Sequence, residues 1–171
     1  TQTLNYKEYC LVSQLKVNEI IKQSGSSITI GEAGDTASGI FTNTPSFLVT
    51  LSADQSITTG TDTKVQWNSE IFDTDNEFDS STNYRWTCGT TGKYLLSWSV
   101  EFAYMTDGRT LAAAIYKNGS EFIRVRQATG AAISTGFTGS QILSVTAGDY
   151  FEIYVYHDYG SNRNLELKSY F

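Results

Sequence analysis

Residues 92–102 alternate between large apolar and small or polar side chains, which is the pattern of a β-strand with two unlike faces. One face carries the bulky side chains of Tyr94, Leu96, Trp98, Val100 and Phe102. The other face, called the lean face below, carries Leu95, Ser97, Ser99, Glu101 and Ala103. A bulky face needs a packed layer opposite it, which a lone hairpin lacks. We therefore place this strand in the middle of a two-sheet body.

The lean face allows two interpretations. Water can cover it, as happens on one side of many antiparallel sheets. Alternatively, copies of the same strand can abut it around a threefold axis, because small side chains let identical chains approach. The alternation of residues alone does not separate these two possibilities.

The length and composition limit the class of protein. A chain of 171 residues is long enough for one domain with a sizeable core and a modest appendage. With 14 glycines, one proline and 13% aromatic residues, it suits short strands joined by tight turns. The net charge of −6 argues against nucleic acid as a partner. No apolar run approaches the roughly 20 residues of a membrane-spanning helix, so we expect no membrane insertion.

Residues 1–45 differ from the rest and predict a stalk or attachment segment. Their apolar residues are spread along a polar ribbon, which fits a short helix that becomes a strand near Leu15. Segments this thin are usually ordered by pairing with something else, often identical chains. The phrases at residues 15–20, 24–31 and 34–36 resemble bacteriophage tail-fibre stalks. A plain linker is the alternative.

Residues 46–171 form a succession of strand and turn patterns. Alternating or β-rich runs predict strands at 47–51, 64–73, 92–102, 111–117, 121–125, 140–145, 150–156 and 165–171. Asn118-Gly119 is the strongest two-residue hairpin signal. Residues 128–139, rich in Gly, Ala and Thr, predict a loop or a thin edge. About eight to ten strands without a long helical period indicate an all-β sandwich or jelly roll.

A set of aromatic, glycine and turn residues follows a characteristic order through this region. They are Phe47 and Val49; Lys64-Val65 with Trp67-Asn68; Phe72-Asp73-Thr74 with Phe78-Asp79; Trp86-Thr87-Cys88; Gly92 with Tyr94 and Leu96; Ala114-Ile115-Tyr116-Lys117-Asn118-Gly119; Leu143 with Ala147-Gly148-Asp149; and Ser169-Tyr170-Phe171. This order resembles the globular head of complement C1q and its tumour-necrosis-factor-like (TNF-like) relatives.

The resemblance implies a C1q/TNF-like jelly roll of about ten antiparallel strands that assembles as a tight homotrimer. It also implies that residues 92–102 lie in the sheet nearest the threefold axis. Leu95, Ser97, Ser99 and Glu101 are then candidates for the subunit contact. The Glu101 carboxylate would need a partner or water once it is buried.

The sequence offers no catalytic motif. Its single histidine, His157, lies beside Asp158 in a polar segment without a nucleophile elbow, and we expect it at the surface. No spacing singles out two of the 18 acids for glycoside cleavage. Phosphate-binding glycine loops, Cys/His metal clusters and cofactor motifs are also missing. We expect Cys10 and Cys88 to be thiols. We predict a protein that is not an enzyme and holds no cofactor.

One acidic segment, residues 73–79, suggests a calcium site. Asp73, Asp75 and Asp79 supply clustered carboxylate oxygens, which are the ligands that hard cations prefer. The segment lacks the central glycine and the closing glutamate of a helix-loop-helix calcium site. A solvated loop is the alternative.

These features together predict a non-enzymatic trimeric structural protein of a virus particle, such as a phage tail fibre, head fibre or receptor-binding protein. Residues 1–45 would attach to other virion proteins, and residues 46–171 would contact a glycan or protein on the host surface. Asp107, Arg109, Tyr159, Asn162 and Arg163 are the candidate contact residues, because they offer stacking and bidentate hydrogen bonding. The alternative for these residues is merely solvated turns. The alternative for the protein is an extracellular, secreted C1q/TNF-like recognition or signalling protein, with a depolymerase-like enzyme as a third possibility.

Overall fold

Twelve strands build residues 45–171, which are the residues that the computed structural model describes. The strands are β1 Phe47–Thr50, β2 Gln55–Ile57, β3 Thr63–Lys64, β4 Ser69–Asp73, β5 Phe78–Asp79, β6 Arg85–Thr87, β7 Gly92–Met105, β8 Thr110–Lys117, β9 Ser120–Ala128, β10 Ile133–Val145, β11 Tyr150–His157 and β12 Arg163–Leu165. All of their pairings are antiparallel. This confirms the all-β prediction.

The strands form two layers. In the β7 layer the order is β10-β7-β12-β2, and the pair β1-β4 joins it through Tyr170, which bridges to both Thr50 and Ser99. In the β11 layer the order is β5-β6-β11-β8-β9, with β3 also paired to β11. β7 therefore lies between two neighbouring strands in one layer of a sandwich, as the alternation of residues 92–102 predicted.

The core lies between the two layers. On β7, the side chains of Leu96, Trp98, Val100 and Phe102 are buried, and Tyr94 is half-buried against them. The facing layer supplies the buried side chains Leu111, Ile115, Phe151, Ile153 and Val155. Burial of this apolar surface is the main favourable term for the fold, at roughly 25 cal/mol per Å².

Residues 64–73 form two short strands rather than the single strand that their composition predicted. β3 pairs with β11 in one layer, whereas β4 pairs with β1 in the other. The chain crosses between the layers at residues 65–68, where Val65 and Trp67 are fully buried. One straight strand cannot belong to both layers, so the crossing interrupts it.

β10 begins at Ile133, well before the residue 140 that its composition predicted. The Gly-rich part of this strand pairs with β7, and Gly139 lies opposite Trp98. The indole of Trp98 occupies the space that a side chain on Gly139 would need, because a Cβ there would lie 2.1 Å from Trp98 Cζ2. The large ring on one strand thus compensates for the missing side chain on the other.

The β8–β9 hairpin turns at Asn118-Gly119, as predicted. Both residues have positive φ, 52° for Asn118 and 80° for Gly119, which is the requirement of a type I′ turn. Lys117 and Ser120 pair directly on either side of the turn.

The carboxyl-terminal region is less regular than the closing strand that residues 165–171 predicted. β12 ends at Leu165, and a turn at residues 167–168 follows. Tyr170 then re-enters the β7 layer as an isolated bridge. Phe171 N donates to Val49 O and Val49 N donates to Phe171 O, both at 2.9 Å, so the end of the chain is held by β1.

The stalk predicted at residues 1–45, with its short helix, lies outside the described residues except for Pro45. Within residues 45–171, no helix is long and apolar enough to cross a membrane.

Candidate functional site

The lean face of β7 is continuous with the outer face of β10. Leu95 lies directly opposite Ile142, and each side chain is 65% exposed. Two large aliphatic side chains side by side on a sheet surface form an apolar patch, which is a feature that contact with another chain would bury. Leu95 was predicted from the sequence, whereas Ile142 was not, although Ile142 alternates with the buried Leu143 in a strand that was correctly predicted at that position.

Beyond this pair, small side chains line the same face. Ser97 lies opposite Ser140, Ser99 lies opposite Thr138, and Gly136 lies opposite the fourth predicted contact residue, Glu101. These small residues form a shallow groove two strands wide, called the valley below. The backbone of another chain can approach closely there. Structure and sequence therefore agree that Leu95, Ser97, Ser99 and Glu101 share one surface.

Glu101 lies near the far end of this valley. Its backbone is well held, since Glu101 N donates to Ser169 Oγ at 3.0 Å and Glu101 O accepts from Glu166 N at 2.7 Å. Within residues 45–171, its carboxylate has no hydrogen-bond or ion partner. The half-buried carboxylate is thus available to a partner outside these residues.

Aromatic residues extend the apolar patch to one side of the valley. Tyr170 and Phe72 are partly exposed in the β7 layer. A cavity of about 240 Å³ opens beside Leu95, with Tyr94 and Phe171 among its walls. The lean face is therefore bounded by an apolar depression that a protruding side chain can enter.

A second candidate surface lies in the loops at one end of the sandwich. Arg163 stacks over Tyr159 with its Cζ 3.4 Å from the ring centroid, and Arg109 reaches the same ring with its Cζ at 5.6 Å. Arg109 Nη1 also donates to Asp158 O at 3.2 Å. Three of the five predicted contact residues therefore form one group, called the Arg–Tyr–Arg cluster below.

The other two predicted contact residues do not join this cluster. Asp107 and Asn162 are exposed in the neighbouring loops, and within residues 45–171 their side chains make no hydrogen bond or ion pair. In Arg163, the buried Nε has no hydrogen-bond partner among the described residues. This N–H is buried, so it is an unsatisfied donor inside the fold and does not face solvent.

His157 is fully buried, and the prediction of a surface histidine was wrong. Its ring packs edge-on against Phe102 at 5.5 Å, Nε2 lies 3.1 Å from Ile57 O, and Tyr159 N donates to Nδ1 at 3.3 Å. Burial lowers the pKa of this imidazole, because desolvation disfavours the charged form. The histidine thus supports the loop that carries Tyr159.

The acidic segment uses its carboxylates to hold its own backbone. Asp73 Oδ2 accepts from Phe78 N at 2.7 Å, and Asp79 accepts from the backbone N–H of Ser81 and Thr82 at 3.0 and 2.9 Å. These backbone bonds hold the pKa of Asp79 well below its usual range. Asp75 N donates to Asp73 Oδ1 at 3.3 Å. In the described part of the chain, no group of three or more His, Cys, Asp or Glu side chains is placed to hold a metal ion.

Cys88 is a buried free thiol, as expected, and its Sγ donates to Thr90 O at 2.9 Å. The expectation for Cys10 lies outside the described residues.

Comparison with known proteins gives no matching family model. A protein of Bacillus subtilis strain 168 described as uncharacterized protein YqcC is 27% identical over 110 residues, which cover 61% of this chain and 30% of that protein. The chain therefore spans less than a third of the length of the curated relative it matches.

Solved structures with the same architecture are more numerous. The globular domain of zebrafish complement 1qA protein has a TM-score of 0.54 at 17% identity, covering 75% of this chain and 96% of that one. Murine APRIL at pH 8.5 has a TM-score of 0.52 at 15% identity, covering 72% of this chain and 94% of that one. Eiger TNF from S. frugiperda has a TM-score of 0.50 at 13% identity, covering 72% and 85%. Residues 45–171 thus adopt a C1q/TNF-like jelly roll.

Proposed function

We propose that this chain is a non-enzymatic recognition subunit that assembles as a homotrimer through the lean face of β7 and β10. The observation that carries the proposal is the pairing of Leu95 and Ile142, each 65% exposed, beside a valley of small residues. Apolar side chains in such a row gain about 1.5–3 kcal/mol each when they leave water. Three identical strands meeting around an axis would supply that burial.

A trimer would bring three copies of the Arg–Tyr–Arg cluster to one tip. Contacts that are weak at one site then act together, since the second and third binding events are intramolecular. Arginine beside tyrosine suits recognition of a sugar or a protein surface through stacking and paired hydrogen bonds. We assign the tip to contact with a host cell surface.

We further propose that this chain is part of a virus particle, as a phage tail or head fibre. Its support is the resemblance of residues 15–36 to bacteriophage tail-fibre stalks, which would attach the head to other virion proteins. Labelling of intact particles with an antibody raised against residues 46–171 tests this assignment. Particles that stay unlabelled, with the chain free in the medium, would favour the secreted recognition or signalling protein instead.

The assembly is tested by placing a large charge in the valley. Ser97→Arg should convert the trimer to monomers, because three guanidinium groups would be brought together at the axis without partners. The matched control is Ser120→Arg, an exposed serine on the edge strand of the other layer, which should stay trimeric. Light scattering coupled to size-exclusion chromatography reports the mass of both. A trimeric Ser97→Arg variant, or a monomeric unmodified protein, would contradict the interface.

A further inference from the structure

The outer face of the β11 layer holds a polar cleft of about 370 Å³. Its position follows from the strand register. Ala112 of β8 lies between Arg126 of β9 and Tyr156 of β11, so a small residue is flanked on each side by a long one. The pattern repeats two residues further along β8, where Ala114 lies between Arg124 and Tyr154. Small residues along the middle strand create the depression that the flanking side chains bound.

An ion bridge closes one end of this cleft. Arg124 Nη2 contacts Asp62 Oδ1 at 2.8 Å and also contacts Glu121 Oε2, while Arg124 Nε donates to Glu121 Oε2 at 2.9 Å. The guanidinium is only 12% exposed and is held by both acids. It lowers the pKa of Glu121 through a hydrogen bond. These side chains are therefore ordered before any ligand arrives, which reduces the entropy lost on binding.

The other end of the cleft is bounded by Asp158. Thr110 N donates to Asp158 Oδ1 at 2.8 Å, which fixes the carboxylate and leaves its second oxygen able to accept. Arg126 is exposed, and within residues 45–171 its guanidinium has no hydrogen-bond or ion partner. Tyr156 offers an aromatic face and a hydroxyl to the same space. The cleft thus presents donors, acceptors and one ring together.

We infer that this cleft binds a neutral oligosaccharide. Two guanidinium groups and three carboxylates line it, so neither a strongly anionic nor a strongly cationic ligand finds complementary charge. Adjacent hydroxyls of a sugar can accept from a guanidinium and donate to a carboxylate in pairs, and the apolar side of a sugar ring can cover tyrosine. The volume lies at the lower end of the range of about 300–1,000 Å³ for small-molecule sites.

The cleft lies on the layer opposite the lean face, so sugar binding does not require assembly. The inference extends the proposed recognition role by naming a ligand class, and it stands if that role fails. A printed glycan array carrying neutral, sialylated and sulfated oligosaccharides is the probe. Capture of neutral glycans is the expected result, and capture of none, or only of anionic ones, would overturn the inference.

Two substitutions locate the site, each with a matched control. Arg126→Ala and Tyr156→Ala should each weaken the affinity for the captured neutral glycan by roughly 10- to 100-fold in calorimetry, since a charge-assisted bond or a ring contact is lost. Arg85→Ala and Tyr150→Ala remove another stacked Arg–Tyr pair of the same layer, 4.1 Å apart, and should leave the affinity unchanged. Equal losses in both sets would overturn the location.

The assembly variant separates this inference from the proposed function. Ser97→Arg lies on the opposite layer, so its monomers should bind the glycan with unchanged affinity per chain. Loss of glycan binding by well-folded monomers would show that the cleft alone does not form the site.

Discussion

At the scale of single residues, the buried His157 makes the free energy of unfolding depend on pH. It is the chain's one histidine, and it is buried in the neutral form with its pKa lowered by desolvation. The unfolded chain takes up a proton near pH 6.5, whereas the folded chain resists it. The free energy of unfolding should therefore be fully maintained above about pH 6.5 and should fall as the pH decreases below that value.

The measurement is the midpoint of urea unfolding at pH 7.5 and at pH 5.5. This interval lies above the range where most carboxylates titrate, so the histidine dominates the difference. His157→Gln should be less stable at pH 7.5, because it loses a well-packed ring, but its midpoint should change little between the two pH values. A variant with the same pH dependence as the unmodified protein would assign the effect to another group.

At the scale of elements, the Gly-rich part of β10 depends on Trp98 of the neighbouring strand. Gly139→Ala should destabilise the fold by about 1–3 kcal/mol, because the new Cβ would lie 2.1 Å from Trp98 Cζ2 and must displace a packed ring. Gly130→Ala is the control, since a Cβ there meets no atom within 4 Å. Urea unfolding of both variants checks the prediction, and equal midpoints would contradict the packing described for Trp98.

β7 and β10 also show which parts of the fold can be predicted from the sequence alone. β7 was predictable because its apolar residues alternate over its length, and the lean face followed from that alternation. The first half of β10 was not, because Gly136 and Gly139 are of a residue type that is depleted in strands, and this part of the chain becomes a strand by pairing with β7. His157 was misplaced because its polar neighbours Asp158 and Gly160 suggest a surface loop, whereas in the fold its ring is buried beside Phe102 and contacts Ile57 O.

The candidate sites also differ in whether the sequence could predict them. The contact residues on β7 share a strand face, so local periodicity brings them together. The Arg–Tyr–Arg cluster joins Arg109 to Tyr159 and to Arg163 at the start of β12, which lie far from it in the sequence, and only the types of these residues suggested a site. The cleft around Ala112 depends on the register of three strands, which no local pattern encodes.

At the scale of the whole molecule, the proposed attachment role can be tested at the end of the sandwich that carries the Arg–Tyr–Arg cluster. Replacing both Tyr159 and Arg163 by alanine removes a stacked pair from every head. In the proposed trimer, a contact worth about 0.5–1 kcal/mol at one head would act three times, so adsorption to host cells should fall on the order of tenfold or more. The measurement is the adsorption rate of particles that carry the variant.

Because Arg163 packs on Tyr159 in the fold itself, the variant must first be shown to remain trimeric and folded. Replacing both Arg85 and Tyr150 by alanine provides the control, since this pair also stacks but lies away from the cluster. A fall in adsorption limited to the Tyr159 and Arg163 variant places the host contact at this end of the head. Unchanged adsorption by trimeric particles would remove the cluster from the recognition surface and leave the lean face with an assembly role only.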